Sequence, residues 1–194
     1  RALVSIGPAP AALAKACADG GLPTTGGLSV GVPGAPAGYA ALAELGRLGR
    51  RRLVAPAVAM ARRGVPWAPV CAALAAQADS LLTRHAPLGC RYRPADGPLA
   101  VGTRLPLPGL AALLTEFAAR GAELFAGPAG TAVVERVARA GGVLDGSDLL
   151  AARAEWVDAV QVTVRGRRVW ATPAPTYGPA LLAALGQAAG DGGT

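Results

Sequence analysis

Histidine is almost missing from this chain: His85 is the only one. A histidine-rich metal site is therefore not expected. A Cys–His nucleophile pair would have to use His85, and Thr83-Arg84-His85-Ala86-Pro87 reads instead as the frayed end of a helix. Cysteine is also scarce. Cys17, Cys71 and Cys90 are odd in number and far apart, with no C-x-x-C pattern, so they read as free, partly buried thiols. Aromatic residues make up only 4% of the chain, which leaves the core without large anchors and any nucleic-acid face without stacking platforms. No apolar run approaches the roughly 18 residues a membrane span needs. No charged-then-apolar leader follows Arg1. That leaves the compartment open, with the cytoplasm favoured. Acidic residues are outnumbered 12 to 19, and the resulting +7 is nearly all arginine. The clusters Arg50-Arg51-Arg52, Arg62-Arg63 and Arg165, Arg167, Arg168 fall in turns and at helix ends. Without interleaved aromatics they read as solvated surface or a contact with an acidic partner, not as a nucleic-acid face.

Ala, Leu, 27 Gly and 17 Pro supply most of what is there. A length of 194 residues fits a single domain over 1–194, with a core of small side chains. Its most organised stretch is Leu28–Gly64. Leu28, Val30 and Val32 alternate with Ser29 and Gly31, which predicts a short buried strand. Pro33-Gly34 stops it. An Ala- and Leu-rich helix follows, and Gly38 in its first part lets another element approach closely. A second helix is predicted from Val54 to Arg63, with Pro56 in its first turn and Gly64 as its stop.

Gly31-Val32-Pro33-Gly34, Gly38, Pro56-Ala57, Ala61-Arg62 and Gly64 together resemble the large subunit of γ-glutamyltranspeptidases, which are N-terminal-nucleophile hydrolases. Further landmarks follow in order. Asp96-Gly97 with Gly102 and Arg104-Leu105 resembles the family's DG…GD-x-L segment, with Thr103 in place of the acid. Gly121-Ala122-Glu123-Leu124-Phe125 with Gly127, and then Gly141-Gly142…Leu144…Asp148-Leu149, match two more. Pro173-Ala174-Pro175-Thr176-Tyr177-Gly178-Pro179 stands where the family has P-P-P-S-S-G-G near its active site. The resemblance runs from Ala2 to Gly186, with blocks missing after Gly21 and after the last helix. The first of these would carry the arginine that holds a substrate α-carboxylate. No residue between Gly21 and Gly26 can take that role, and the other arginines have no sequence reason to point inward.

Along the chain, a strand is predicted at Ala2–Ile6 and a helix at Ala11–Asp19. Trp67–Thr83 reads as one helix, and 86–108 as a Pro- and Gly-rich loop. Leu110, Leu113, Leu114 and Phe117 recur at i, i+3, i+4, i+7 and predict a one-faced helix. Thr131–Ala140 is helical, with Val133, Val134 and Val137 inward and Gly141-Gly142 capping it. Ser147 to Leu150 opens a short capped helical turn. Val160, Val162 and Val164 alternate with polar residues, so Trp156–Thr172 reads as a hairpin turning at Gly166. Ala180–Ala189 is the last helix, and 190–194 a flexible end.

The resemblance implies an α/β fold: the helix-rich, large-subunit part of a four-layer αββα sandwich completed by a small subunit cut from the same precursor. It implies a threonine nucleophile at the new N-terminus of that small subunit, and no cofactor. No catalytic residue is then expected in this chain. The nucleophile falls just after Thr194, or is Thr194 itself if the chain is uncut. Thr176, Tyr177 and Gly178 are the candidate substrate-binding residues, facing a small-molecule substrate. Two alternatives stay open. One is a same-fold secondary-metabolite enzyme that cleaves a C–C bond in alkylproline antibiotic biosynthesis. The other is a non-catalytic binding module.

Overall fold

The computed structural model describes residues 1–190. Helices dominate, and the strands come as three separate antiparallel pairs. In β1 (Ala2–Val4) and β4 (Glu155–Val157), Leu3 faces Trp156. In β2 (Val65–Pro66) and β3 (Arg104–Leu105), Val65 faces Leu105. The third pair, β5 (Val160–Val164) and β6 (Arg167–Ala171), is a hairpin. Its two turn residues, Arg165 (φ 48°) and Gly166 (φ 73°), both take the positive φ that a two-residue hairpin turn of the right twist demands. The predicted hairpin is therefore correct at 160–171, but Trp156 belongs to a different pair. Asp158-Ala159 separates the two, and β4 spends its hydrogen bonds on β1.

The strand expected at Leu28–Val32 does not form. Its alternating burial is present, but Gly27–Ser29 is a single 3-10 turn and, among the described residues, no strand lies alongside Val30–Val32. Instead the Val32 N–H donates to the Pro8 carbonyl at 3.1 Å, and Val32 enters the core. An apolar alternation fixes which side chains turn inward, not whether a neighbouring strand exists. The first helix, α1 (Leu13–Ala16), is shorter than the expected Ala11–Asp19. The next, α2 (Ala35–Ala43), starts directly after Gly34 as expected. Helix α3 (Arg50–Arg63) begins four residues earlier than expected, so Pro56 lies inside it rather than in its first turn. Gly64 does end it, at φ 81°. The single helix expected over Trp67–Thr83 is two, α4 (Pro69–Gln77) and α5 (Asp79–His85), and Trp67 precedes both.

Helix α6 (Pro108–Arg120) packs along α3 and buries Phe117. A 3-10 segment, Gly121–Ala126, turns the chain into α7 (Pro128–Arg139), which buries Val137. Helix α8 (Gly146–Ala151) follows, and α9 (Gly178–Gly190) packs on the β5–β6 hairpin. The core has two parts. Val32, Val137, Leu144 and Leu149 form one; Ala40, Phe117 and Leu124 form the other. Phe125 touches both and joins them.

The N-terminal segment is fitted to α2 by glycines. A Cβ on Gly34 would stand 2.7 Å from the Gly7 nitrogen, and one on Gly38 would stand 2.9 Å from the Ser5 Cβ. A Cβ on Gly7 would fall inside the Val32 carbonyl. The close approach expected at Gly38 is thus made, onto the side chain of Ser5.

Candidate functional site

The loop after β6 is organised by one hydroxyl. Thr176 Oγ1 lies 2.9 Å from the carbonyl oxygens of both Thr172 and Pro173, to which it can donate, and 2.8 Å from Thr172 Oγ1. It accepts from the Gly178 N–H at 3.0 Å. That amide opens α9, where helix geometry leaves the first N–H groups without partners. Thr176 therefore fastens the loop to the start of α9, and its bonding capacity is taken up within the chain. Gly178 packs so closely that a Cβ there would stand 3.0 Å from the Ala171 Cβ and inside the Thr172 carbonyl. Tyr177 is held between these two fixed residues and points outward, 90% exposed. The three residues singled out from the sequence are contiguous, but only Tyr177 presents its side chain outward.

Replacing Thr176 with Val removes the acceptor of the Gly178 amide and should lower stability by about 1–2 kcal/mol. Thr176→Ser should restore most of it. Denaturant midpoints of the two variants check this. Equal midpoints would mean that the hydroxyl does not fasten the helix.

The loop meets the rest of the molecule at Pro175. Pro175, Ile6, Pro8, Arg153 and Glu155 line a cavity of about 430 Å³ between the loop, the N-terminal segment and the start of β4. Arg153 also lines a larger cavity of about 910 Å³, together with Glu44, Arg50, Arg120, Glu123 and the small floor residues of α2. Three arginines thus border one cavity, a placement for which nothing in the sequence gives a reason, although Arg120 and Arg153 stay exposed there. They differ in their pairing. Arg50 meets Glu44 at 3.0 Å and Arg120 meets Glu116 at 3.2 Å. Arg153 Nη1 donates to the carbonyls of Leu150 and Ala152, at the end of α8. Among the described residues it has no carboxylate partner. It is therefore the guanidinium open to an anionic group. Nothing in the local sequence Ala151-Ala152-Arg153-Ala154 marks it; its position between two cavities is a property of the fold.

Asp148 holds this region together. It is 6% exposed, and its Oδ1 accepts from the Ala11 N–H at 2.8 Å, across the whole chain. Its Oδ2 accepts from the Asp145 N–H at 3.1 Å. Asp145 returns the bond, accepting from the Asp148 N–H at 3.0 Å, which closes a capping box on α8. The cap is therefore Asp145, with Ser147 supporting it through a 2.6 Å bond to the same oxygen. The Ser147 hydroxyl and the Asp148 N–H hold the Asp145 carboxyl below its ordinary 3.8.

No group of three or more potential metal ligands occurs among the described residues. No described helix is long and apolar enough to cross a membrane. Cys17, Cys71 and Cys90 are unbonded and half-buried. Thr194 lies outside the described residues.

The comparisons with known proteins agree with one another. The family model for Gamma-glutamyltranspeptidase matches residues 1–190. An acylase ACY 1 proenzyme of Pseudomonas sp. (strain V22) is 33% identical over 153 residues, which is 78% of this chain and 27% of that protein. Human glutathione hydrolase 5 proenzyme is 33% identical over 162 residues, 81% of this chain and 27% of that protein. The chain thus spans about a quarter of the length of the curated relatives it matches. Among solved structures, the gamma-glutamyltranspeptidase of Pseudomonas nitroreducens superposes with a TM-score of 0.78 at 22% identity, over 90% of this chain and 53% of that one. The cephalosporin acylase of Bacillus halodurans superposes at 0.74 with 27% identity, over 88% of this chain and 34% of that one. The fold is that of the N-terminal-nucleophile hydrolases, present here as an α/β, helix-rich portion with small sheets. With a family model that matches residues 1–190, a span that takes in the glycine contacts, the Asp148 bonds and the Thr176 loop, the chain belongs to the gamma-glutamyltranspeptidase family.

Proposed function

We propose that this chain is the large-subunit part of a hydrolase or acyltransferase acting on amide bonds, with its nucleophile on a companion chain from the same precursor. The family match over residues 1–190 carries this reading. Two further features support it. Relatives are named as proenzymes. The strands here are isolated pairs, and large apolar side chains such as Leu22, Leu45 and Leu88 are exposed.

The chemistry follows from what a terminal threonine can do. Its hydroxyl is a weak nucleophile until a base takes the proton. A free α-amine, with a pKa of about 7.7–8.0, is partly neutral near pH 7 and serves as that base. The hydroxyl oxygen attacks the amide carbonyl, and the proton passes through the amine to the departing nitrogen. The acyl group is left on the threonine, and water or an acceptor amine releases it. A threonine preceded by another residue has its α-nitrogen tied up in a peptide bond, which favours a nucleophile that begins the companion chain.

This chain's part is to shape the pocket. Thr176 and Gly178 fix the loop, and the outward-facing Tyr177 would supply a wall against the companion chain where the family has a small hydroxyl. The residues between Gly21 and Gly26 contain no arginine for a γ-glutamyl α-carboxylate. An anionic substrate group would have to reach Arg153 instead. Relatives named as acylases favour amide cleavage with a different acyl group over C–C cleavage. The assembled enzyme should therefore hydrolyse a simple acyl anilide faster than a γ-glutamyl anilide. Tyr177→Ser should raise γ-glutamyl turnover. Efficient γ-glutamyl turnover by the unaltered enzyme would contradict this substrate assignment.

A further inference from the structure

Helices α3 and α6 leave a shallow groove of about 520 Å³ on their outer side. Its floor is small and apolar: Val54, Ala55, Val58 and Ala59 from α3 meet Ala118 and Ala119 from α6. The one hydroxyl on its wall is already used, since Thr115 Oγ1 donates to the Ala111 carbonyl at 2.7 Å. Arg51 and Arg62 close the two ends. On α3 the order Arg51, Val54/Ala55, Val58/Ala59, Arg62 follows the i, i+3/i+4 spacing of one helix face. Arg51 and Arg62 are thus three turns, about 16 Å, apart. Both are exposed, and among the described residues neither makes an ion pair.

A small-residue floor lets another backbone approach closely, and its length suits a helix of about three turns. The arginines select the sign of what flanks that helix. A second copy of this chain offering the same face would set arginine against arginine, on a chain already at +7. We propose that this groove docks an amphipathic helix of the companion chain, one carrying Asp or Glu three turns apart on either side of a small apolar stripe. The proposal rests on the two-part assembly proposed above. About three-quarters of the relatives' length lies outside this chain and can supply the helix.

The test uses the complete precursor product, cut or uncut. A photo-crosslinker is placed at Ala55, which is exposed on the groove floor. Mass spectrometry of the crosslinked peptide should identify a helical segment of the companion polypeptide with acidic residues three turns apart. Crosslinks to a second copy of this chain, to a segment without such acids, or to solvent alone would overturn the proposal. Separately, Arg51→Glu with Arg62→Glu in the complete precursor product should weaken association of the two chains about tenfold on dilution in low salt, with the deficit shrinking as salt rises. Reversing the identified acids to Lys should restore it. Ala59→Trp, which fills the groove without changing charge, should also weaken assembly. Normal assembly of both the charge-reversed and groove-filled proteins would overturn the proposal. If active two-chain enzyme forms despite them, the docking site fails while the functional reading stands. If no second chain exists and no amide is cleaved, the functional reading fails first.

Discussion

Asp148→Ala is expected to lower the stability of the protein by about 3–5 kcal/mol, because its two oxygens each end a hydrogen bond that nothing else can complete. The Ala11 N–H and the Asp145 N–H would both lose their acceptor in a half-buried setting. The first of these bonds also ties the N-terminal segment to α8, residues 137 positions apart. Asp148→Asn keeps one acceptor oxygen and should lose roughly half as much. Denaturant midpoints measure both, and a loss under about 1 kcal/mol for Asp148→Ala would show that the carboxylate is not a structural tie. Acid should weaken the same cap. The Asp145 carboxyl is depressed in the folded state, so its contribution is complete above its ordinary 3.8 and disappears as pH falls through the lower folded value. Asp145→Asn should therefore flatten stability against pH in that acid range, and leave the slope near neutrality unchanged.

Gly7→Ala is expected to be as damaging, by a different route. The added methyl would occupy the space of the Val32 carbonyl, and the obstruction is backbone on both sides. Nothing there can rotate away. The Val32 N–H to Pro8 carbonyl bond, 3.1 Å, would be pushed open and the core residue Val32 displaced. Overpacking of this kind costs about 3 kcal/mol or more, a large part of the ~5–15 kcal/mol that holds a domain together. Gly31→Ala serves as the control, since a Cβ there meets nothing within 4 Å. Yields of soluble protein and unfolding midpoints should separate the two sharply. Equal behaviour would mean that the N-terminal segment does not pack against residues 32–38 as described.

Where the signal was local, the sequence carried the fold well. The 3.6-residue period of Leu110, Leu113, Leu114 and Phe117 placed α6, although Leu110, at its first turn, remains 42% exposed. Gly64 and Gly141 ended helices at positive φ, as only glycine does easily. Alternation at Val160–Val164 with a turn at Gly166 gave the hairpin. The failures share a cause. Leu28–Val32 alternates like a strand but has no neighbour to pair with among the described residues, and Trp156 joined β1 from the other end of the chain. Partner choice is long-range and leaves no local mark. Helix α3 begins among three arginines, where no capping side chain announces a start. Around the candidate site, the loop between β6 and α9 was legible from the Pro- and Gly-rich letters Pro173 to Pro179. Arg153 and the Asp148–Ala11 bond were not legible. Each depends on which distant segments the fold brings together.

The proposed function makes this chain the large-subunit part of a self-processed amide hydrolase. Intact-mass analysis with N-terminal sequencing, on the complete precursor after expression and incubation, tests it directly. Two chains that remain associated are expected. The smaller should begin with a threonine, and replacing that threonine with alanine should leave the precursor whole and inactive. An uncut precursor that hydrolyses amides, or a cut whose new terminus is not Thr, Ser or Cys, would contradict it.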